Sequence, residues 1–305
     1  MNDNSNGRRC AVVVHGGAED AKQNEDGCEA AAQKAVDVLT ACQHSVTAAI
    51  AAVVQMEDDG RFNAGRGASY ALDGETIEMC ASVMDTRGVL GAVAAVRDVR
   101  NPVLLARAVA GSPHCLLAGE GADRFARACG LPRADHGSER ARKEYREVAA
   151  KLMGGEQVLP SIHNESFHLQ WNFALPWQEA LKRHGHGTVG AVTRDADGHF
   201  AVATSTGGSP PALLGRVGDA PLIGCGFYCG PHGAVAVSSV AEFVLRELLA
   251  HRVYQWIAEG RPLQRALDDA LALFDEDVDL GLIAVSEHEA AAASNRGMPI
   301  AIREC

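Results

Sequence analysis

The sequence predicts a layered α/β fold in which two sheets lie between helical layers. Three observations carry this expectation. Hydrophobic residues make up 47% of the 305-residue chain but aromatics only 5%, and glycine fills 32 positions, so Ala, Val and Leu must build the core at close backbone spacing. Short apolar runs of strand length are interspersed with longer stretches of helical periodicity. Their order, helices and strands in the first half and strands and helices in the second, supplies two such layers.

Residues 10–14 read as a buried strand ending in His15-Gly16-Gly17. Cys28, Ala31, Ala32, Ala35, Val36, Leu39 and Cys42 recur at three- and four-residue spacings, hence a helix. Ser45 reads as the N-cap of a second helix. Residues 62–70 (FNAGRGASY) form a glycine-rich turn, and 68–72 and 76–85 read as strands joined at Asp73-Gly74. Residues 91–97 are a further strand. Asn101-Pro102 then opens a helix through Ala110, and residues 114–129 read as another. From 136 to 187 the periodicity fades into a connection expected to be partly mobile, with a helical pattern over 140–153. Strands are expected at 188–194, 198–206 and 235–237. Ser239-Val-Ala-Glu242 has the form of a capping box opening a helix to about Glu259. A helix from Pro262 to about Phe274 and strands at 281–286 and 299–303 close the chain.

Charge and cysteine content exclude several classes. With 28 Lys+Arg against 39 Asp+Glu the net charge is −11, which disfavours nucleic acid as a partner. The charged run over 139–151 mixes both signs and reads as a solvated helix face or a processing linker. No secretory leader is recognisable, and the uncharged stretches 38–56 and 220–241 carry too many polar or Gly/Pro residues for a membrane span. Nine cysteines, odd in number and without a CxxC pair, read as reduced thiols of a cytoplasmic protein, and no zinc site is expected. Gly65-x-Gly67 and Gly224-x-Gly226 lack the third glycine and setting of a nucleotide loop.

The sharpest chemical feature is Gly187-Thr188 at the start of a strand. A threonine hydroxyl needs a base within reach, and one solution is the threonine's own α-amine, freed when it becomes an N-terminus. A preceding glycine tolerates the backbone that brings the hydroxyl onto its carbonyl. By itself the Gly-Thr step is an ordinary strand start.

Its context is more specific. HGGA at 15–18, FNAG at 62–65, SVMD at 82–85, GAVA at 91–94, Asn101-Pro102, HGTVGAV at 186–192, ATSTGG at 203–208, GRVGD at 215–219 and PLIGCG at 221–226 occur in this order. In that series the chain resembles the plant-type asparaginase and isoaspartyl aminopeptidase family, threonine members of the N-terminal-nucleophile hydrolases, over nearly its whole length. The resemblance implies a four-layer αββα sandwich of two mostly antiparallel sheets, in one domain over residues 1–305. It implies self-cleavage between Gly187 and Thr188 into pieces of 187 and 118 residues, and a homodimer of cleaved protomers, a heterotetramer of both chains.

The resemblance further implies a small-molecule or dipeptide substrate whose β-aspartyl amide is attacked by Thr188, with hydrolysis of the resulting ester. Thr206 would hydrogen-bond the nucleophile, with Thr204 the competing hydroxyl on the same strand face. Asn63 would lie near it, and Gly207 and Gly208 would admit the substrate. Arg216 would bind the substrate's α-carboxylate and Asp219 its α-ammonium, unless the two pair with each other. No cofactor is implied beyond a structural sodium ion on backbone carbonyls of the loop from Glu57 to Gly65. His15 is expected to brace its glycine turn.

The chain departs from the family at Glu19-Asp20, where another glycine is preferred, at Cys80-Ala81, where Asp-Ala is common, and in one segment that bears on the chemistry. Where the family has Thr-Gly-x-Gly-Glu, whose Thr hydroxyl and a backbone N–H form the oxyanion hole, this chain reads Ser238-Ser239-Val240-Ala241-Glu242, shorter and without glycine. Ser239 offers a hydroxyl there or merely caps the helix. Loss of one oxyanion donor typically costs about 2.7–4 kcal/mol in the transition state. A weakened or inactive family member that binds ligand without turnover, or an amidase of altered specificity, is therefore the competing expectation.

Overall fold

A computed structural model describes residues 9–18, 24–42, 44–71, 73–134, 136–153, 187–209, 212–276 and 278–305. The chain opens with β1 (Ala11–His15), α1 (Glu25–Cys42) and α2 (Ser45–Asp59), then a 3-10 turn (Gly65–Gly67). It continues through β2 (Met79–Asp85), β3 (Leu90–Val96), α3 (Pro102–Val109), β4 (Leu116–Ala118), α4 (Gly119–Ala128) and α5 (Glu139–Met153). The second half holds β5 (Thr188–Arg194), β6 (Phe200–Thr206), β7 (Phe227–Gly230), β8 (Gly233–Ser239), α6 (Ala241–Glu247), α7 (Leu249–Ala258), α8 (Leu263–Leu271), β9 (Leu280–Ser286), β10 (Ala290–Ser294) and β11 (Ile300–Glu304).

Two sheets result, a seven-stranded one ordered β11-β1-β5-β6-β2-β3-β4 and a four-stranded one ordered β10-β9-β8-β7. Every pairing is antiparallel except β3–β4. Strand alternation sorts the buried side chains into three clusters. Val12, Val14, Val189, Ala191, Ala201, Ala203, Ala81 and Val83 face the first-half helices. Val235, Val237, Leu280, Leu282 and Ala284 face α6, α7 and α8. Ala11, Val13, Val192, Phe200 and Val202 meet Phe227, Ala234, Ala236, Ile283 and Val285 between the sheets. The expected αββα layering is therefore present, and Ala and Val, not aromatics, fill it.

Local expectations needed correction in several places. Residues 68–71 form no strand; Ala71 N–H donates to Thr76 O and Gly74 N–H to Ala71 O, so the segment is a turn, and Leu72 lies outside the described residues. The helix expected over 114–129 begins only at Gly119, because residues 116–118 pair in parallel with β3. Ser45 is the first helical residue, not the cap: its N–H donates to Asp195 and its carbonyl accepts from the Thr193 hydroxyl. Asn101 precedes α3 but its side chain donates to Asp58 instead of capping. The connection expected over 136–187 holds α5 at its start, and residues 154–186, His186 among them, lie outside the described residues. Cys10 and Cys305 are joined in a disulfide while the other seven cysteines are free, so the all-thiol reading fails at the two chain ends. These ends meet because β11 pairs with β1 in full register. No helix among the described residues is long and apolar enough to cross a membrane.

Candidate active site

The inter-sheet face is apolar at one end and polar at the other. Thr188 is the first residue of β5 and pairs with Thr206 on β6, which pairs with Cys80 on β2. Cross-strand partners project to one side of a sheet, so these three side chains form a buried row. The next row comprises His15, Gly190, Thr204 and Ser82. Burial pushes the pKa of His15 down to about 3, outweighing the hydrogen-bonding pull of the Thr188 backbone, so its ring is neutral at pH 7.

The peptide before Thr188 lies against the HGGA loop. Gly187 has φ +104°, a region that L side chains avoid. A Cβ at Gly17 would come within 3.2 Å of both Gly187 Cα and Thr188 O, so the loop touches the Gly187–Thr188 step backbone to backbone. The Phe62 ring packs onto Gly16 and Gly27, joining that loop to the FNAG turn.

Asn63 organises the opposite wall. Its Nδ2 donates to Gly208 O at 2.7 Å, while its Oδ1 accepts from Ser69 N–H at 2.9 Å and the Ser69 hydroxyl at 2.7 Å. Gly207 N–H donates to Asn63 O. A side chain at Gly207 would collide with Asn63 Oδ1 and the Ala68–Ser69 backbone, so this turn requires glycine. Gly208 N–H in turn donates to the Thr206 hydroxyl at 3.1 Å, which keeps that oxygen in the row beside Thr188. Gly207, Gly208, Tyr70, Ala71, Glu78, Leu213 and Arg216 line one small cavity.

Arg216 and Asp219 do not pair directly. The guanidinium is held by Glu242 on α6 through Nε to Oε1 at 3.1 Å and Nη2 to Oε2 at 2.9 Å. Burial raises Glu242, but the bonds and charge of Arg216 prevail and hold it below its ordinary value. Asp219 is buried, and its Oδ2 has no hydrogen-bond partner among the described residues. Burial raises its carboxyl to about 7, with the charge of Arg216 pulling the other way. A cationic group brought to that oxygen would relieve a standing desolvation cost.

Ser239 is turned away from this row. It shares the face of Val235 and Val237, and its hydroxyl donates to Asp279 O at 2.8 Å. It does not cap α6, whose N-cap is Val240 without a side-chain bond, so the capping box is absent. Alternation instead puts Ser238 on the inter-sheet face with Ala234 and Ala236, where its oxygen accepts from Ala18 N–H at 3.1 Å. A hydroxyl that accepts there retains its own hydrogen to donate.

Two groups escaped the sequence reading. Glu242 was read as part of a cap and as the end of the segment that departs from the family, since nothing local in sequence ties it to Arg216. Glu57, at the end of α2, is fully buried: Oε1 accepts from the Ser205 hydroxyl at 2.7 Å and Val103 N–H at 3.0 Å, and burial raises its carboxyl to about 8. Its side chain thus points to the sheet. In the same loop the carbonyls of Glu57, Gly60 and Phe62 crowd the backbone of Gly65 and Gly67, where Cβ atoms would overlap them. Backbone carbonyl oxygens are a ligand type that hard cations take, and this is the loop in which the sodium ion is expected.

The pattern of the asparaginase family matches residues 8–303. An isoaspartyl peptidase/L-asparaginase of Danio rerio is 38% identical over 286 residues, covering 91% of this chain and 86% of its own length. The protein of that name from Homo sapiens is 36% identical over 287 residues, with 90% and 86% covered. A plant-type L-asparaginase of Pyrobaculum calidifontis is 36% identical over 271 residues, with 85% and 84% covered. With an αββα sandwich and a polar row of this kind at one end of its sheets, the chain belongs to the asparaginase family of hydrolases.

Proposed function

We propose that this protein hydrolyses β-aspartyl amide bonds, in isoaspartyl peptides or L-asparagine, with Thr188 as an N-terminal nucleophile. The observation that carries the reading is the placement of Thr188: it heads β5 behind a glycine at positive φ, its hydroxyl row shared with Thr206. Hydrolysis of the Gly187–Thr188 peptide gives Gly187 a carboxylate and Thr188 an amine. That amine takes the Thr188 hydroxyl proton as Oγ attacks the β-carbonyl, and returns it to the departing amine as the C–N bond breaks. Water then cleaves the ester, releasing aspartate and restoring the hydroxyl.

Thr206 steadies the nucleophile, and Asn63 shapes the Gly207–Gly208 turn over which the substrate lies. Arg216, presented by Glu242, receives the α-carboxylate, and Asp219 receives the α-ammonium. Sodium on the carbonyls of the Glu57–Gly65 loop would stiffen the turn carrying Asn63. The working assembly is a pair of cleaved protomers in the cytoplasm, where reducing conditions would open the Cys10–Cys305 bridge.

Reducing denaturing electrophoresis of purified protein should resolve fragments of 187 and 118 residues. Thr188→Ala should prevent both cutting and turnover; a fully active Thr188→Ala protein would remove Thr188 from the mechanism. A second reading, ligand binding without turnover, is favoured by the engagement of Ser239 with Asp279 in a segment lacking the family's glycines. Calorimetric binding of L-aspartate with no hydrolysis across a panel of β-amides would select it.

A further inference from the structure

The row behind the nucleophile, which also holds His15 and Gly190, contains two hydroxyls. Ser82 on β2 and Thr204 on β6 are register partners, and both are fully buried. Their oxygens lie 2.7 Å apart, and both reach one acceptor, the carbonyl of Ala220, at 2.8 Å from Ser82 and 3.0 Å from Thr204. Two hydroxyl hydrogens serve three oxygens. At least one therefore donates to Ala220 at any moment, and the other donates to its neighbour or to the same carbonyl. Packing alone does not call for hydroxyls here, since Val and Ala would fill the same space.

Ala220 directly follows Asp219, in a stretch between β6 and β7 whose described residues form no strand or helix. The Asp219 carbonyl accepts from Leu222 N–H at 2.8 Å, and the Gly226 backbone packs against it. That contact is internal to the loop and does not locate it relative to the nucleophile. The Ala220 carbonyl, in contrast, is bonded to side chains of the two strands that carry Cys80 and Thr206.

We propose that Ser82 and Thr204 are positioning residues for amine recognition: together they tether Ala220 to the nucleophile-bearing sheet and so set the Asp219 carboxylate at the distance from Thr188 that selects substrates bearing an α-ammonium group. The proposal rests on the reading above that Asp219 receives that ammonium. Each hydroxyl supplies a donor to Ala220, so loss of either weakens this tether and loss of both removes it.

The test compares wild type, Ser82→Ala, Thr204→Val, the double variant and Thr204→Ser. Steady-state kinetics on L-asparagine and a β-aspartyl dipeptide are combined with calorimetric binding of L-aspartate and of succinate, which lacks the amine. A net hydrogen bond of ordinary strength predicts about threefold weaker aspartate binding and higher KM in each single variant, and about tenfold or more in the double variant. Succinate affinity should stay at the wild-type value, kcat should change by no more than about twofold, and Thr204→Ser should behave as wild type. Loss confined to kcat, equal loss of succinate binding, or wild-type aspartate affinity in the double variant would overturn the tether while leaving the proposed function standing. Wild-type protein that neither binds L-aspartate nor cleaves either substrate would overturn that function itself, and with it the role of Asp219. Should the double variant fail to fold, Ser82→Ala and Thr204→Val still read the split, each retaining one donor on Ala220.

Discussion

Asp219 holds the least satisfied carboxylate of the candidate site, and its ionisation sets a pH dependence. Burial raises it to about 7, above the range of an exposed Asp. The paired form needs the carboxylate, so affinity for an amine-bearing ligand is full above that value and lost as pH falls through it. The dissociation constant of L-aspartate should rise about tenfold per pH unit below 7, a slope that Asp219→Asn should abolish. Calorimetry of product binding involves no proton transfer at Thr188, so it reads the carboxylate alone. The two serines at the end of β8 separate as sharply. Ser238→Ala removes the hydroxyl beside Ala18 on the inter-sheet face and should lower kcat by about tenfold or more, whereas Ser239→Ala should leave kcat within about threefold. Equal effects in both variants would refute that assignment.

That Thr188, Thr206, Asn63, Gly207 and Gly208 lie together was legible in the sequence because each sits in a short motif at a strand end or turn. Which of Ser238 and Ser239 faces the row of Thr188 depends on the register of β8 against β9, which alternation converts into opposite faces and which the sequence does not state. The partnership of Glu242 with Arg216 depends on where α6 lands, a fact of packing and not of spacing.

At the scale of elements, the helix expected to run unbroken to Glu259 is divided. Leu248 has φ 49° and ψ 48°, a left-handed conformation unusual for a branched side chain, and it is 52% exposed. The physical reason lies in the first turn of α7, where Ala250 and His251 N–H donate to the carbonyls of Cys225 and Gly224 instead of continuing α6. The loop that carries Asp219 is thereby anchored from the helical side as well. Glycine adopts this conformation without the side-chain penalty, so Leu248→Gly should stabilise the protein by up to about 1 kcal/mol, read as a higher urea midpoint at unchanged slope. A lower midpoint would mean that the leucine contributes packing the exposed position does not suggest. The unread elements share a cause. β4 is three residues long, β7 is four, and β10 reads AAAAS, an alanine run that local propensity assigns to helix. Each is a strand because of the neighbour it pairs with, β3, β8 and β9 respectively.

Across the whole molecule, the proposed cut would not divide the fold into two bodies. In the order β11-β1-β5-β6-β2-β3-β4, strands from before and after Gly187 alternate: β1 lies between β11 and β5, and β2 pairs with β6. Three strand ladders would then join the two fragments, and the Cys10–Cys305 bridge would join them covalently at the β1–β11 edge. Protein purified in air should run as one band of full mass without reductant and as two bands with it, and Cys10→Ser should give two bands under both conditions. The bridge also changes the order of the unfolding reaction. A bridged pair of protomers unfolds into two molecules and a cut, unbridged pair into four, so the Tm of cut Cys10→Ser protein should rise more steeply with concentration than that of bridged protein. Thermal scans over a hundredfold range, about 1 to 100 μM, distinguish the two cases. An equal concentration dependence in bridged and cut Cys10→Ser protein would show that the fragments do not separate on unfolding, and the bridge would then have no part in holding them together.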